Sequence, residues 1–199
     1  MTDPRRTARN VGLAVTLAFA TVAFVYTWLE SYAPLRALRL ARATGWLAAA
    51  LLTLALCVTP LKTLRERRGT PRSASLVALR RSLGLAAATC AFIHAAYALL
   101  ALRGLPGLVL SVPWLRAGLA ALAVLAALFA TSFDVVLRSC RLQHWKELHR
   151  LNYVVVVLVL LHSVLGPFGS PGLELTFAGA IAVLLTVRVV LARGSRIAN

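Results

Sequence analysis

Apolar stretches of membrane-spanning length recur six times along the chain, and short polar segments separate them. A helix needs about 20 consecutive apolar residues to cross a bilayer. The pattern therefore predicts six transmembrane helices, at about Val11–Leu29, Ala43–Leu61, Leu83–Leu102, Pro113–Phe133, Leu151–Gly166 and Leu173–Leu191. The fifth stretch is short for a span, and a start nearer Trp145 would place its first turn at the membrane interface.

The composition excludes a soluble globular protein and a disordered one. Of the 199 residues, 60% are hydrophobic and 14% are charged, and the mean hydropathy is +0.80. Soluble domains hold about 25% charged residues, and disordered chains are poor in apolar residues. We therefore expect an all-α membrane protein with a single domain.

The distribution of Lys and Arg predicts the orientation in the membrane. The net charge is +16, but the basic residues lie in short segments between apolar runs, which indicates topology and anionic lipid rather than nucleic-acid binding. With the N-terminus in the cytoplasm, seventeen of the 22 Lys and Arg fall on the inner side. Both termini are thus expected in the cytoplasm, as residues 1–10 and 193–199, on either side of a transmembrane domain over residues 11–192.

One segment departs from this orientation. Three of the outer arginines lie in Tyr32–Arg42, between the first and second predicted spans. We interpret this segment as a short amphipathic helix that lies on the membrane surface.

Histidine is the residue type that points to a metal or a cofactor. The three cysteines form no CxxC pair, so neither a disulfide framework nor a zinc site is expected. Ionisable residues at membrane depth are costly and mark function. The histidines are His94 in the third predicted span, His162 in the fifth, His149 at the start of the fifth, and His144 in the loop before it.

His94 and His162 are predicted to lie at the same depth. The third and fifth spans run in the same direction, and His162 lies 13 residues after His149, while His94 lies 14 and 13 residues after Arg80 and Arg81. These steps correspond to about 20 Å at a rise of 1.5 Å per residue. The chain therefore has two polar levels, one near each face of the membrane.

Two such levels suit haem with axial histidines from neighbouring helices. Neutral imidazole donates a nitrogen lone pair to iron, which compensates the desolvation of a buried side chain. A direct His94–His162 hydrogen bond or a proton relay is the competing interpretation. His149 is explained equally well as a haem ligand and as an interfacial residue bonded to lipid phosphate. His144 is better explained as a loop residue than as a ligand.

A helical count leaves a difficulty in the fifth span. A step of 14 residues brings Arg80 within about 40° of the face of His94, whereas the 13-residue step from His149 to His162 leaves about 140° on a straight α-helix. A 3₁₀ turn at the start of the span would tighten the helix and reduce this offset.

Several motifs occur together between residues 59 and 162. They are Thr59-Pro60-Leu61; Arg80-Arg81-Ser82-Leu83-Gly84-Leu85, followed by Phe92, His94 and Tyr97; Thr131-Ser132; and Trp145-Lys146-Glu147-Leu148-His149-Arg150-Leu151-Asn152-Tyr153, with His162 thirteen residues after His149. Together they resemble the MsrQ (YedZ) family, within the ferric reductase-like transmembrane domain superfamily. The resemblance covers about Gly45 to His162.

The resemblance implies a six-transmembrane-helix bundle that is a b-type cytochrome with one or two haem b groups. His94 and His162 would be the axial ligands of the outer haem iron, and His149 would bind the inner haem. Arg80 stands where the wider superfamily has its fourth histidine, which leaves the second ligand of the inner haem open. His144 is then a reserve ligand.

The resemblance also implies an anionic group near the arginine pair. Arg80 or Arg81 would meet a haem propionate or the phosphate of flavin mononucleotide (FMN), since both are anionic. A plain positive-inside anchor is the alternative explanation of the pair.

The implied role is that of an electron-transfer subunit of a transmembrane oxidoreductase system, with no catalytic residue of its own. The chain has no Gly-rich dinucleotide fingerprint, so the electrons are expected to come from a separate protein or a bound flavin. The resemblance implies that the donor is a cytoplasmic flavin reductase. By resemblance the electrons cross the bacterial inner membrane to a periplasmic molybdopterin methionine sulfoxide reductase of the MsrP type.

Two other classes of function are weighed against this one. An accessory or structural subunit of a larger membrane redox complex, with reduced or no haem content, would account for the substituted fourth ligand position. A proton-coupled transporter is disfavoured because the central spans hold no Asp or Glu. The number of haems per chain distinguishes the first two classes.

Overall fold

The chain forms a bundle of helices in a computed structural model that describes residues 36–69, 74–102, 106–132, 147–167 and 170–197, together with Thr21. The elements in these ranges are α1 (Arg36–Arg67), α2 (Ala74–Ala101), α3 (Pro106–Ser111), α4 (Pro113–Ala130), a 3₁₀ turn (His149–Leu151), α5 (Asn152–Leu165) and α6 (Pro171–Ile197). All the elements in the described ranges are helical, which confirms the predicted all-α class.

Four of the described helices are long and apolar enough to cross a membrane. They are α1, α2, α4 and the Pro171–Leu191 part of α6. The fifth predicted span, Leu151–Gly166, corresponds to an apolar helical segment of fewer than 18 residues, His149–Leu165, as its short apolar stretch indicated. The chain is therefore a multi-pass membrane protein. Apart from Thr21, the first predicted span, Val11–Leu29, lies outside the described residues.

The start of α1 corrects one prediction. The helix begins at Arg36 and runs without interruption into the second predicted span, so residues 36–42 are not a separate surface helix. Leu40 and Ala41 are buried, at 7% and 4% exposure, and this packing holds the first turns in the bundle while Arg42 faces outward.

The end of α1 also differs from the apolar pattern. The pattern predicts an end near Leu61, but the helix continues through Pro60 to Arg67. Proline removes one helical hydrogen bond, and the buried position of Pro60 shows that packing on neighbouring helices offsets this loss. Gly69, with a φ of +76°, adopts the left-handed conformation that terminates the helix.

The described helices pack in pairs. α2 lies along α1, and α5 lies along α4. A common core joins the pairs, with Leu51 of α1 and Val155 of α5 almost fully buried. Phe92 of α2 also meets Phe129 of α4 edge to face, with 5.5 Å between ring centroids. Each histidine-bearing helix thus packs on the helix that precedes it, and the two pairs face each other.

A 3₁₀ turn, the remedy suggested by the helical count, is present at His149–Leu151 at the start of the fifth span. Each 3₁₀ residue turns about 20° further than an α-helical one, so three residues reduce the angular offset between His149 and His162 from about 140° to about 80°. The turn brings the two histidines closer to a common face without aligning them.

Candidate functional site

The structure brings His94 of α2 and His162 of α5 together. Their ring centroids lie 5.9 Å apart, and their planes are nearly perpendicular, at 83°. Both side chains are half-buried. The equal depth predicted from the residue count is therefore found as a direct pairing of the two imidazoles, which we call the histidine pair.

Hydrogen bonds hold each ring of the histidine pair. The Nδ1 of His94 lies 2.6 Å from the carbonyl oxygen of Ala41 in α1, and the Nδ1 of His162 lies 2.8 Å from the carbonyl oxygen of Trp114 in α4. A carbonyl oxygen only accepts, so each Nδ1 carries the proton and donates it. In the neutral ring the lone pair then lies on Nε2, and the carbonyl fixes both tautomer and orientation.

The two carbonyls occupy equivalent places in the fold. Ala41 lies near the start of α1 and Trp114 near the start of α4, while His94 and His162 lie near the ends of the helices packed on them. A helical carbonyl has a second lone pair beyond the one used in the helix, and each histidine takes it. The indole of Trp114 also lies beside His162, with 5.4 Å between ring centroids and planes tilted by 43°.

The pair differs from a site built to enclose a bare metal ion. Over the described ranges, no group of three or more His, Cys, Asp or Glu side chains is arranged to hold one. Two neutral imidazoles with their Nε2 lone pairs available can supply two ligands to one metal centre whose remaining ligands come from elsewhere. This donor set matches the axial coordination of haem iron.

His149 lies at the other end of the fifth span, in the 3₁₀ turn. Its side chain is half-buried and has an interaction partner. Arg80 is likewise half-buried, and it shares the unbroken helix α2 with His94, 14 residues away. His144 lies outside the described residues.

Positive charge gathers at this end of the bundle. The guanidinium of Arg188, on α6, lies within electrostatic range of both Arg80 on α2 and Arg150 in the 3₁₀ turn. We call these three side chains the arginine cluster. Cations repel one another, so their convergence from three parts of the chain provides a place where an anion would be stabilised.

Arg81, the other member of the predicted Arg80–Arg81 pair, makes a contact that the sequence did not predict. Its guanidinium donates a hydrogen bond to the backbone carbonyl of Ser132, beyond the end of α4. This bond ties α2 to the segment that follows α4, so Arg81 serves the packing of the bundle. Arg80 remains the member of the pair that joins the arginine cluster.

A cavity of about 350 Å³ lies between α1, α5 and α6 on the same side. Its lining is apolar except for Tyr153 and Arg188. The Arg188 guanidinium stands 4.9 Å from the centroid of the Tyr153 ring, and the buried Tyr153 hydroxyl has no hydrogen-bond partner among the described atoms. The cavity thus has one cationic and one hydroxyl group at its edge.

Sequence reasoning missed several parts of this arrangement. It did not identify the carbonyls of Ala41 and Trp114, because a backbone acceptor has no residue-type signature. It counted Arg150 and Arg188 only as orientation signals, because the approach of Arg188 to Arg80 and to Arg150 depends on how α6 packs.

Comparisons with known proteins agree with the fold. Residues 44–160 match the family described as "Ferric reductase like transmembrane component". The chain is 36% identical over 154 residues to "Protein-methionine-sulfoxide reductase heme-binding subunit MsrQ" of Xanthomonas axonopodis pv. citri, which covers 73% of this chain and 66% of that protein. The MsrQ of Ralstonia nicotianae is 34% identical over 155 residues, covering 74% and 69%.

A different kind of protein carries the same region. The "Magnetosome protein MamZ" of Magnetospirillum gryphiswaldense is 34% identical over 128 residues, which are 62% of this chain but 20% of that protein. The chain thus spans about two thirds of the MsrQ relatives and a fifth of MamZ. The matched residues include the histidine-bearing part of α2.

Proposed function

The chain belongs to the ferric reductase-like transmembrane family, with MsrQ proteins among its relatives, and we propose that it is a haem-binding subunit that carries electrons across the membrane. The observation that carries the proposal is the histidine pair. His94 and His162 each have Nδ1 committed to a carbonyl, which leaves the lone pair on Nε2 for a ligand.

The spacing of the pair fits one iron between two imidazoles. Metal–imidazole bonds are about 2 Å long, and each ligating nitrogen lies roughly 1 Å from its ring centroid, so two axial rings have centroids about 6 Å apart. The observed separation of 5.9 Å is of this size. A proton relay is less well supported, because both Nδ1 atoms are engaged by carbonyls that cannot pass a proton on.

Haem bound here would supply one-electron chemistry. The protein's contribution is to hold His94 and His162 in one tautomer, to orient their rings through Ala41 and Trp114, and to keep the site in apolar surroundings. Axial ligand identity, hydrogen bonding to the ligands and burial are the means by which a protein sets haem potential.

A second cofactor is proposed at the opposite end, near His149. The arginine cluster there would hold an anion, either a propionate of a second haem with His149 as one axial ligand or the phosphate of FMN. His144 is retained as a reserve ligand. Arg80 is a member of the cluster, and Arg81 stays a candidate for the same anion, since a guanidinium has further donors beyond the one bonded to the Ser132 carbonyl.

The direction of transfer and the partners are proposed from the charge distribution and the relatives. The more basic side is taken as cytoplasmic, which places both termini there and the histidine pair toward the periplasm of a bacterial inner membrane. A cytoplasmic flavin reductase would supply electrons. The name of the MsrQ relatives suggests a methionine sulfoxide reductase as the acceptor, in an MsrP-type role.

Electron transfer across a sealed membrane tests the proposal. The purified chain is reconstituted in liposomes that contain ferricyanide, with NADH and a flavin reductase added outside. We expect reduction of the trapped ferricyanide by the wild type and loss of it in His94→Ala and His162→Ala. Val190→Ala is the control, because Val190 is 62% exposed and remote from the pair.

Two outcomes would contradict the proposal. A rate for wild type no greater than for protein-free liposomes would exclude a conducting role. A haem-free chain that co-purifies in fixed ratio with a larger assembly would instead support an accessory subunit.

A further inference from the structure

Gly45 and Gly118 stand in the same relation to the two histidines. A Cβ on Gly45 would lie 2.8 Å from Nδ1 of His94, and a Cβ on Gly118 would lie 2.7 Å from Nδ1 of His162. Both distances are shorter than carbon and nitrogen atoms approach without bonding. The same construction thus occurs twice, once on α1 and once on α4.

The relation follows from helix geometry. In an α-helix, a side chain covers the turn on the N-terminal side of its own Cα, so the residue at position i+4 shields the carbonyl of residue i from the side. Gly45 lies four residues after Ala41, and Gly118 lies four residues after Trp114. Each glycine is therefore at the i+4 position, where a side chain would lie between the carbonyl and the histidine that uses it.

We propose that Gly45 and Gly118 are positioning residues, which keep the Ala41 and Trp114 carbonyls open so that the histidine pair is held ready to ligate. The purpose of this role, to position haem ligands, rests on the proposed haem function. The close contact between each glycine and its histidine does not depend on haem. The neighbouring atom is an imidazole nitrogen bonded to the backbone rather than the tip of a flexible chain. A methyl group must therefore move the ring and break its hydrogen bond.

Other described glycines show that this requirement is local. A Cβ added at Gly179 of α6 would meet no atom within 4 Å. Gly179→Ala is thus a matched control, being the same substitution in an apolar helix. Alanine also has a higher helix propensity than glycine, so a loss in Gly45→Ala or Gly118→Ala cannot come from weaker helix formation.

The first test uses haem affinity and spectroscopy. We expect Gly45→Ala and Gly118→Ala each to weaken binding of added haem by about 10- to 100-fold, as loss of ligand-orienting hydrogen bonds does in other sites, with Gly179→Ala unchanged. Haem that still binds should show an altered low-spin ferric electron paramagnetic resonance (EPR) signal, since the ring planes have moved. Affinity and signal equal to those of the wild type would overturn the inference while leaving the proposed function intact.

The second test needs no haem. The melting temperature of the apoprotein is measured for Gly45→Ala in the wild-type and His94→Ala backgrounds, and for Gly118→Ala in the wild-type and His162→Ala backgrounds. If each glycine makes room for its ring, the added methyl lowers the melting temperature only where the histidine is present. An equal drop in melting temperature in both backgrounds would overturn the inference. So would a glycine variant that fails to fold both with the histidine and in the variant that lacks it.

The two tests separate the inference from the function. A wild-type chain that binds no haem defeats the proposed function, and the apoprotein cycle still decides the role of the glycines. A wild-type chain that binds haem, with no coupling between glycine and histidine in the cycle, defeats only the inference.

Discussion

The imidazole planes of His94 and His162 meet at 83°, with 5.9 Å between their centroids. The angle arises because each ring is bonded to a carbonyl on a different helix, Ala41 on α1 and Trp114 on α4. Neither histidine is free to rotate toward the plane of the other without losing that bond. The relative orientation of the pair is therefore a property of the helix packing.

This orientation predicts a distinctive spectrum for the ferric protein. Perpendicular axial imidazoles leave two iron d-orbitals nearly equal in energy, so the low-spin signal is strongly anisotropic, whereas parallel rings give a less anisotropic, rhombic signal. We expect low-temperature EPR of the oxidised wild type to show the strongly anisotropic form. A rhombic signal as the only low-spin species would contradict the described orientation.

If a cofactor binds near His149 as proposed, the arginine cluster is expected to raise its midpoint potential. A nearby cation stabilises the reduced state, so Arg188→Gln should lower its midpoint potential by on the order of tens of millivolts. A redox titration of the membrane-embedded protein measures the change. Arg65→Gln is the control, because Arg65 is exposed in the last turn of α1 and its charge is screened by solvent. Equal shifts in both variants would show that the cluster has no specific effect.

His149 is predicted to act independently of the histidine pair. If the chain holds two haems, His149→Ala should remove about one haem per chain and retain the anisotropic EPR signal, because that signal comes from His94 and His162. Haem is quantified per chain after purification. Loss of the anisotropic signal in His149→Ala would contradict the separation into two sites.

Packing in the core is predicted to contribute more to the stability of the protein than the hydrophobicity of lipid-facing side chains. Helices in lipid associate through van der Waals contact, so a buried cavity is costly while a lipid-facing truncation is not. Leu51 is 1% exposed in α1, and Leu175 is 73% exposed in α6. Leu51→Ala should destabilise the protein by about 2 kcal/mol or more, with little change for Leu175→Ala. Similar thermal shifts for both variants would contradict the described packing.

The sequence predicted the helices whose apolar stretches are long and uninterrupted. It placed α4 and the start of α6 closely, anticipated the shortness of the fifth span and suggested its 3₁₀ turn, whereas α6 continues to Ile197, beyond the predicted end at Leu191. It erred where polar residues continue a helix beyond the apolar core. Arg36, Arg39 and Arg42 at the start of α1 look like a separate surface element, but the burial of Leu40 and Ala41 joins them to the span.

For the candidate site as well, the sequence predicted some features and missed others. The pairing of His94 with His162 could be predicted, because two parallel helices convert equal residue counts into equal depth. The acceptors of their Nδ1 protons could not, since they are backbone atoms of helices distant in sequence. The importance of Gly45 and Gly118 can be recognised only once the histidines are known to pack against the helices that hold these glycines.

The most direct measurement is the dithionite-reduced minus oxidised absorption spectrum of the chain purified after expression with ample haem. If the histidine pair binds haem, the wild type should show a Soret shift and an α-band typical of six-coordinate haem b, and His94→Ala and His162→Ala should each lose that same haem. A wild type without either band, or two variants that keep the full haem content, would contradict it.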